Sequence, residues 1–581
     1  MNIPLHEYWE LLSRYIRPQR SRYTWLTILL LSTIGLRIVN PQIMRYFIDA
    51  AIGDNSSSSL GLAAALFITI AIIQQLVGVG ATYVGENVAW TATNALRAEL
   101  AEHCLDLDMS FHNEKSPGEL IERIDGDVAE LSNFFSQLVV RVVGNLLLLI
   151  GINAAIFFED WRMGIVFSFF IVFALFALNK VRSLAIPHQK AFREASAELF
   201  GFLEERLAGT EDIRASGAVD FTLRGLHYLH SIILKHWYKV SRMFWLVRVT
   251  IGLLMVAANT IAFFSGYFLF RAELITLGTA YLIIHYINLL NRPLRELTHQ
   301  VENLQNIGAA TLRLTELRSI ESKTIDGPGT SIPLGALLLK FNDVNFSYIE
   351  NEPVLKDINL TLEPGKVLGI LGRTGSGKTT LTRLIFRLYD PSQGQITLNE
   401  IDVREATLKQ LRQRVGMVTQ DVQLFQATVR DNLTFFNRSI PDNYIFDVIE
   451  ELELSDWFYS LSNGLDTKLE TGGRGLSAGE GQLLAFTRVF LRNPGLVILD
   501  EASSRLDPAT EQLIERAVDK LLFNRTAIIV AHRLGTIQRS NDIMILETGT
   551  IVEYGERKKL AASPNSHFYH LLQTGLEEVL V

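Results

Sequence analysis

Gly372-Arg373-Thr374-Gly375-Ser376-Gly377-Lys378-Thr379 is the stretch on which the reading of this chain turns. It fits the phosphate-loop pattern in full, a glycine, four free positions, then Gly-Lys-Thr. The strand-like VLGIL precedes it and the helix-like TTLTRLIFRLY follows it. Glycines let backbone N–H groups close around a phosphate, and the start of the following helix adds favourable charge. The loop residues 372–377 and Thr380 are therefore expected to line a nucleotide. Lys378 would reach its outer phosphates and the Thr379 hydroxyl would bind Mg²⁺. Further on, Leu496-Val-Ile-Leu-Asp500 reads as a second buried strand and is followed by Glu501. An acid at a strand end can hold the hydrated metal, which suits Asp500. The next acid can polarise an attacking water, which suits Glu501.

Upstream, the first ~310 residues carry six apolar runs, at about 23–52, 60–84, 140–158, 163–178, 245–270 and 277–290. Each approaches the roughly 20 residues needed to cross a bilayer as a helix. The connections alternate. Runs one and two, three and four, and five and six are joined by short segments, GDNSSSSLG, FEDWR and RAELIT. The other two connections are long, the segment from Lys180 to Arg242 is rich in Lys and Arg, and Arg14, Arg17, Arg20 and Arg22 precede the first run. The positive-inside rule then places both termini and the long connections in the cytoplasm. Helical spacing in SAELFGFLEERLAGTEDIRAS predicts that the spans continue as helices for about 35–40 Å at ~1.5 Å per residue. Two breaks, SPGEL at 116–120 and AGTED at 208–212, are where such helices would turn back. The N-terminal segment shows no cleavage pattern for a signal peptide and is expected to stay on the chain.

Residues 321–336, with Pro328, Pro333 and three glycines, read as a linker. The expected organisation is a multi-domain protein. An all-α membrane domain with six spans (residues 1–320) is followed by the linker and by an α/β P-loop NTPase domain (337–581). Composition agrees: 48% of residues are hydrophobic, only 20% are charged, and mean hydropathy is positive. A net charge of −8 argues against nucleic acid as a partner, because phosphate backbones need clustered positive charge. The single cysteine, Cys104, excludes an internal disulfide and a cysteine-based zinc site.

Between the two nucleotide motifs lies Leu476-Ser477-Ala478-Gly479-Glu480, followed by GQLLAFTRVFLRNP. This resembles the LSGGQ signature and the helix after it in ATP-binding cassette (ABC) proteins. Other elements of that family occur in order. Tyr348 stands where the family places a ring against adenine. Gln420 matches the glutamine of the loop between nucleotide and membrane domains, which also reaches the metal. SSRLDP at 503–508 matches the loop after the catalytic acid. His532 matches the switch histidine at the γ-phosphate. SFHNEKSPGELIERIDGDV, from Ser110, resembles the first intracellular loop of six-span exporters, and NRPLREL fits the end of their sixth span.

The resemblance implies an exporter half-transporter with cofactors ATP and Mg²⁺, in which Glu501, His532 and Gln420 are catalytic. It also implies that two chains sandwich two ATP molecules, Ser477 and Gly479 of one chain facing the phosphates held by the other. The second half can be a copy of this chain or a different protein. Departures favour the latter: Ala478 and Glu480 replace Gly and Gln, Arg505 replaces a small residue, and ETGGRG is shorter than usual. The expected location is the cell (inner or plasma) membrane, multi-pass. The cargo reads as a lipid, drug-like molecule or small peptide, with a lipid flippase or an ATP-gated channel or regulatory subunit as alternatives. Arg37, Arg141, Asn145, Asn153, Arg248, Asn259, His285 and Asn288 fall within the spans. Such costly groups pair across helices, snorkel to an interface or face a cavity, and the arginines could draw an anionic substrate or head group.

Overall fold

The computed structural model describes residues 13–15, 17–53, 57–137, 142–419, 421–470, 476–500, 508–530 and 537–574. Contacts divide the chain into two units. One holds Met1–Leu105 with Pro117–Ile320, the other Asp106–Ser116 with Glu321–Val581.

The first unit is helical. Its long elements are α1 (Arg20–Ile52) and α2 (Ser57–Asp106). The short α3 (Met109–Glu114) belongs to the other unit. After it come α4 (Pro117–Ile121), a π-helical turn (Glu122–Asp127), α5 (Val128–Gln137) and α6 (Gly144–Glu159). Then follow α7 (Trp161–Ala208), α8 (Thr210–Ala215), α9 (Val219–Arg271), α10 (Leu277–Leu289) and α11 (Asn291–Ser319). Among the described residues, four helices are long and apolar enough to cross a membrane, and Gly144–Glu159 is a shorter apolar one. α10 has only 13 residues, but the chain continues into α11 through Leu290, which keeps helical dihedrals. With α6 and α10, six apolar helices stand in the positions expected for six spans. α2, α7 and α9 have 50, 48 and 53 residues. At ~1.5 Å per residue each is about 75 Å long, more than twice a hydrocarbon core.

Packing explains why α10 is short and buried. Leu282, Ile283, Tyr286 and Ile287 form a core with Ile152 and Ile156 of α6, Phe167 of α7 and Ala258 of α9. Small residues bring backbones close, since a Cβ on Gly278 would lie 2.5 Å from the Arg45 carbonyl. Asp49 takes advantage of that approach, accepting from Gly278 N at 2.8 Å and from the Thr276 hydroxyl at 2.7 Å. Arg45 pairs with Glu159 at 2.5 Å.

The breaks at the helix reversals are short helices. Asp108 caps α3 by accepting from Ser110 N and Phe111 N, and it also accepts from Lys323 N. Burial would raise its carboxyl pKa. The three backbone donors outweigh burial and hold it below the usual range. SPGEL is therefore a helix start, with Pro117 opening α4 where its missing N–H costs nothing. AGTED opens α8, which follows Gly209 and buries no side chain.

The second unit is α/β, and its chain order runs as follows. β1 (Leu339–Ser347) and β2 (Pro353–Leu362) precede β3 (Val367–Leu371) and α12 (Lys378–Ile385). β4 (Gln393–Leu398), β5 (Ile401–Asp402), α13 (Leu408–Arg414) and β6 (Val415–Val418) come next. A helical insertion holds α14 (Val429–Thr434), α15 (Asp442–Glu451), α16 (Ser455–Ser460) and α17 (Ala478–Arg492). β7 (Leu496–Asp500), α18 (Pro508–Leu522), β8 (Thr526–Val530), β9 (Asp542–Glu547) and β10 (Thr550–Glu556) complete the strands. β2-β1-β4-β5 form an antiparallel sheet, and β10-β9-β3-β8-β7-β6 form a second sheet, parallel except at β10. β3, β7 and β8 are buried along their whole length, as continuous apolar runs covered on both faces must be.

Candidate functional site

Parallel strands present their C-terminal ends on one edge of a sheet, and ligands bind α/β folds there. β3 ends at Leu371, immediately before the Gly372–Thr379 loop. β7 ends on Asp500. β6 and β8 end two residues before Gln420 and His532, and Glu501 follows Asp500 directly. Four chain segments singled out in the sequence thus leave the same edge. Gln420, Glu501 and His532 themselves, with Arg505, lie outside the described residues.

The loop after β3 needs its glycines. Gly372 has φ +152°, and a Cβ there would lie 2.2 Å from the Leu546 carbonyl. Gly377 has φ +107°, and its Cβ would lie 2.7 Å from a Leu355 methyl. The base of the loop is bolted to the turn between β9 and β10, where Gly549 N donates to Ser376 O at 3.1 Å. Arg373, Thr374 and Gly375 are exposed at the tip, whereas Ser376 and Lys378 are buried. The Lys378 ammonium donates to Gly372 O at 2.6 Å and Arg373 O at 3.0 Å. The Ser376 hydroxyl is buried without a hydrogen-bond partner among the described residues. Such a group carries a cost unless a ligand satisfies it. The loop is therefore a cationic, glycine-turned cradle with an orphaned donor, which suits a phosphate.

Thr379 and Asp500 line one cavity of about 850 Å³, together with Thr419, Asp421, Arg488 and Phe435. A hydroxyl and a buried carboxylate are hard oxygen donors of the kind Mg²⁺ takes beside phosphates. Arg488 of α17 braces this wall. Its guanidinium donates to Asn432 O at 2.6 Å, Gln423 O at 3.0 Å and Asn432 Oδ1 at 3.0 Å, and lies over the Phe435 ring at 4.8 Å. Burial, with Arg492 nearby, lowers its pKa to about 10. Arg488 ties the segment after Gln420 to the helical insertion, a role that no sequence motif announced.

Tyr348 follows β1 and leans on α12. Its hydroxyl lies 3.2 Å from Thr380 Oγ1 and accepts from Arg383 at 3.4 Å. The ring makes edge contacts with Phe346 and Tyr389, at 4.8 and 5.1 Å between centroids. It is 40% exposed, so one face is available to a planar ligand. Tyr389 in turn accepts from Asn113 of α3 at 2.7 Å. Burial raises its phenol pKa, keeping it a neutral acceptor.

Ser477 and Gly479 stand apart from this cavity. Ser477 is the N-cap of α17. Its hydroxyl accepts from Glu480 N at 3.2 Å, while Glu480 accepts from Ser477 N at 2.7 Å. The second Glu480 oxygen accepts from Trp457 Nε1 at 3.1 Å. The Glu480 carboxylate is therefore engaged in a capping box. The Ala478 methyl is exposed. Glu480→Ala is expected to destabilise this unit by about 1–2 kcal/mol, and Glu480→Gln by less than half of that, because the amide oxygen still accepts. Chemical denaturation of the two variants checks this. Equal losses would refute the capping role.

The polar residues within the spans divide into three groups. Asn153 donates to Ser168 at 2.8 Å and Asn259 to Asn288 at 3.2 Å, so these pair across helices. His285 stacks on Tyr281 one turn away. Arg37 and Asn145 line one cavity and Arg248 another. Arg141 lies outside the described residues.

Two family models match this chain. "ABC transporter transmembrane region" covers residues 24–294, and "ABC transporter" covers residues 355–504. Among similar proteins is an ATP-binding/permease protein of Staphylococcus aureus (strain bovine RF122 / ET3-1) whose name assigns it provisionally to multidrug export. It is 29% identical over 96% of this chain and 98% of its own. A fatty acid ABC transporter ATP-binding/permease protein of Mycobacterium bovis is 28% identical over 87% of this chain and 79% of its own. A solved bacterial Atm1-family ABC exporter with ATP bound superposes with a TM-score of 0.79. It covers 96% of this chain and 98% of its own at 21% identity, which speaks for the fold.

Proposed function

Because this chain belongs to the ABC transporter family, as a membrane region and an ATPase region fused in one half-transporter, we propose that it works in a dimer that exports an amphipathic cargo from the cytoplasm. The carrying observation is the separation of the two halves of a nucleotide site. Thr379 and Asp500 share one cavity wall, while Ser477 and Gly479 are not among its residues. A second subunit's α17 start would complete the site.

In this reading the loop N–H groups and Lys378 hold the phosphates, and the Tyr348 ring supports the adenine. Thr379, Asp500 and Gln420 would hold Mg²⁺, which supplies charge neutralisation at the phosphates. Glu501 takes the proton of the attacking water, and His532 senses the γ-phosphate. α3, capped by Asp108 and joined to Tyr389 through Asn113, and the exposed α8 are the candidates to carry closure to the spans. The termini and long helical extensions lie in the cytoplasm. The boundaries 1–320, 321–336 and 337–581 describe the membrane domain, linker and ATPase domain. The replacements Ala478 and Glu480 favour a different partner half over a second copy. The names of the two relatives, multidrug export and fatty acid transport, support an amphipathic cargo, a lipid included.

Purified chain reconstituted in proteoliposomes is expected to hydrolyse ATP, with turnover raised at least threefold by an amphipathic cargo or by addition of the partner half. ATP-dependent uptake of labelled cargo into vesicles with the ATPase units outside completes the test. ATP hydrolysis that no partner half or apolar compound changes, with no uptake, would sink the export reading.

A further inference from the structure

A cavity of about 210 Å³ lies among α7, α9 and α11, and three arginines, Arg182, Arg248 and Arg295, line it. The rest of its wall is mainly apolar, with Ile186 from α7 and Met243, Val247 and Ile251 from α9. No carboxylate lines it among the described residues. In this it differs from the cavity holding Arg37 and Arg292, where Glu86 and Glu296 stand in the same wall. Arg182 has a further interaction of its own. Arg248 lies over the Phe244 and Trp245 rings, at 5.7 and 5.9 Å to their centroids. Neither Arg248 nor Arg295 has an acidic partner among the described residues.

Depth along the helices says what such a pocket meets. Arg182 is roughly 21 residues from the start of α7, Arg248 roughly 23 from the end of α9, and Arg295 roughly 18 from the start of α10. At ~1.5 Å per residue these are about 32, 35 and 27 Å, one hydrocarbon thickness from the short-loop side. The three guanidiniums therefore stand at one layer, where the head groups of the leaflet on the long-helix side lie. Snorkelling would bring each arginine to that layer separately. It does not account for three of them converging on one apolar-walled cavity. Guanidinium forks recognise carboxylate and phosphate oxygens in pairs, and basic pockets between spans on the cytoplasmic side take anionic head groups. The apolar wall suits the first methylenes of an acyl chain.

We propose that this pocket binds an anionic single-chain amphiphile from the cytoplasmic leaflet, its carboxylate or phosphate between Arg248 and Arg295 and its chain against Ile186, Val247 and Ile251. The inference rests on the orientation given above and names the class of ligand for the export reading.

Trp245 provides the probe. Full-length protein in nanodiscs of zwitterionic lipid is titrated with a long-chain fatty acid brominated on its chain, and with the matching brominated alcohol. The Trp245→Phe variant isolates that residue's signal. The acid is expected to quench Trp245 at a concentration at least tenfold below the alcohol. Arg248→Gln with Arg295→Gln is expected to remove that preference, while Arg162→Gln, at the other end of α7, leaves it intact. Inorganic phosphate up to millimolar concentration should not displace the acid. Equal quenching by acid and alcohol, an unchanged preference in the double variant, or displacement by free phosphate would each overturn the proposal. Circular dichroism of the double variant is measured alongside and should match that of the parent. Absent ATPase in the unmodified protein would count against the export reading and leave the binding result standing.

Discussion

Lys378→Ala is expected to abolish ATP binding at concentrations that saturate the unmodified protein, and to reduce ATP hydrolysis at least ~100-fold. The ammonium is buried at the start of α12 and donates to the carbonyls of Gly372 and Arg373. Those bonds hold the charge over the hollow of the loop, where the phosphates of ATP would lie. A hydrogen bond between charged partners contributes about 1.5–3 kcal/mol, and ~1.4 kcal/mol corresponds to tenfold in affinity. One such bond accounts for roughly 10- to 100-fold, and the unscreened charge beside a triphosphate adds to it. The loop backbone is held independently, by the glycine conformations and by the bond from Gly549 N to Ser376 O. The variant should therefore fold, and its circular dichroism and melting in the absence of nucleotide should be close to those of the parent. Calorimetric titration with ATP is the measurement. Near-normal affinity in a folded variant would refute the assignment of this loop as the phosphate cradle.

The residues differ in how readily their sequence context announced them. The loop at 372–379 was readable because its demands are steric. Only glycine tolerates φ +152° at Gly372 or fits against Leu355 at Gly377, so the pattern carries its geometry with it. The six apolar runs were readable because a bilayer sets a length that few other environments require. Their packing was not. α10 is the buried centre of its unit, and nothing in a 13-residue apolar helix distinguishes a core position from a lipid-facing one. Likewise, Asp106–Ser116 joins the second unit through bonds from Asn113 to Tyr389 and from Lys323 to Asp108. Those partners are more than 200 residues apart in the chain, and local spacing holds no trace of them. Arg488 sits in a stretch that reads as an ordinary amphipathic helix, yet its three hydrogen bonds hold the loop at Gln423 and Asn432 of α14. Glu480 is a different case. Ser477-Ala478-Gly479-Glu480 fits the Ser-x-x-Glu capping box, a short-range motif open to inspection.

Glu501→Gln is expected to leave ATP binding intact and to lower turnover by about 10²- to 10⁴-fold, the usual contribution of a positioned general base. Glu501 follows β7 directly, and Asp500 at the end of that strand shares a cavity wall with Thr379. The amide matches the carboxylate in size but accepts no proton from water at neutral pH, so binding and catalysis separate. This sets Glu501→Gln apart from Lys378→Ala, where both are lost. The same variant addresses the partner. If this chain supplies the working acid to an asymmetric pump, Glu501→Gln in this subunit alone stops the mixed complex. The corresponding change in the partner would then do little. Two copies of this chain would instead make equivalent sites, and complexes with one altered subunit would keep part of the turnover. The altered signature bears on the choice, because Ala478 and Glu480 sit at the start of α17, the helix that would face the other subunit's ATP. Steady-state ATPase and cargo uptake, measured on the single-chain assembly and on mixed complexes, separate the outcomes. Full transport by the single-chain assembly, matching any mixed complex, would remove the case for a different partner half. Near-normal hydrolysis by Glu501→Gln would remove Glu501 as the base.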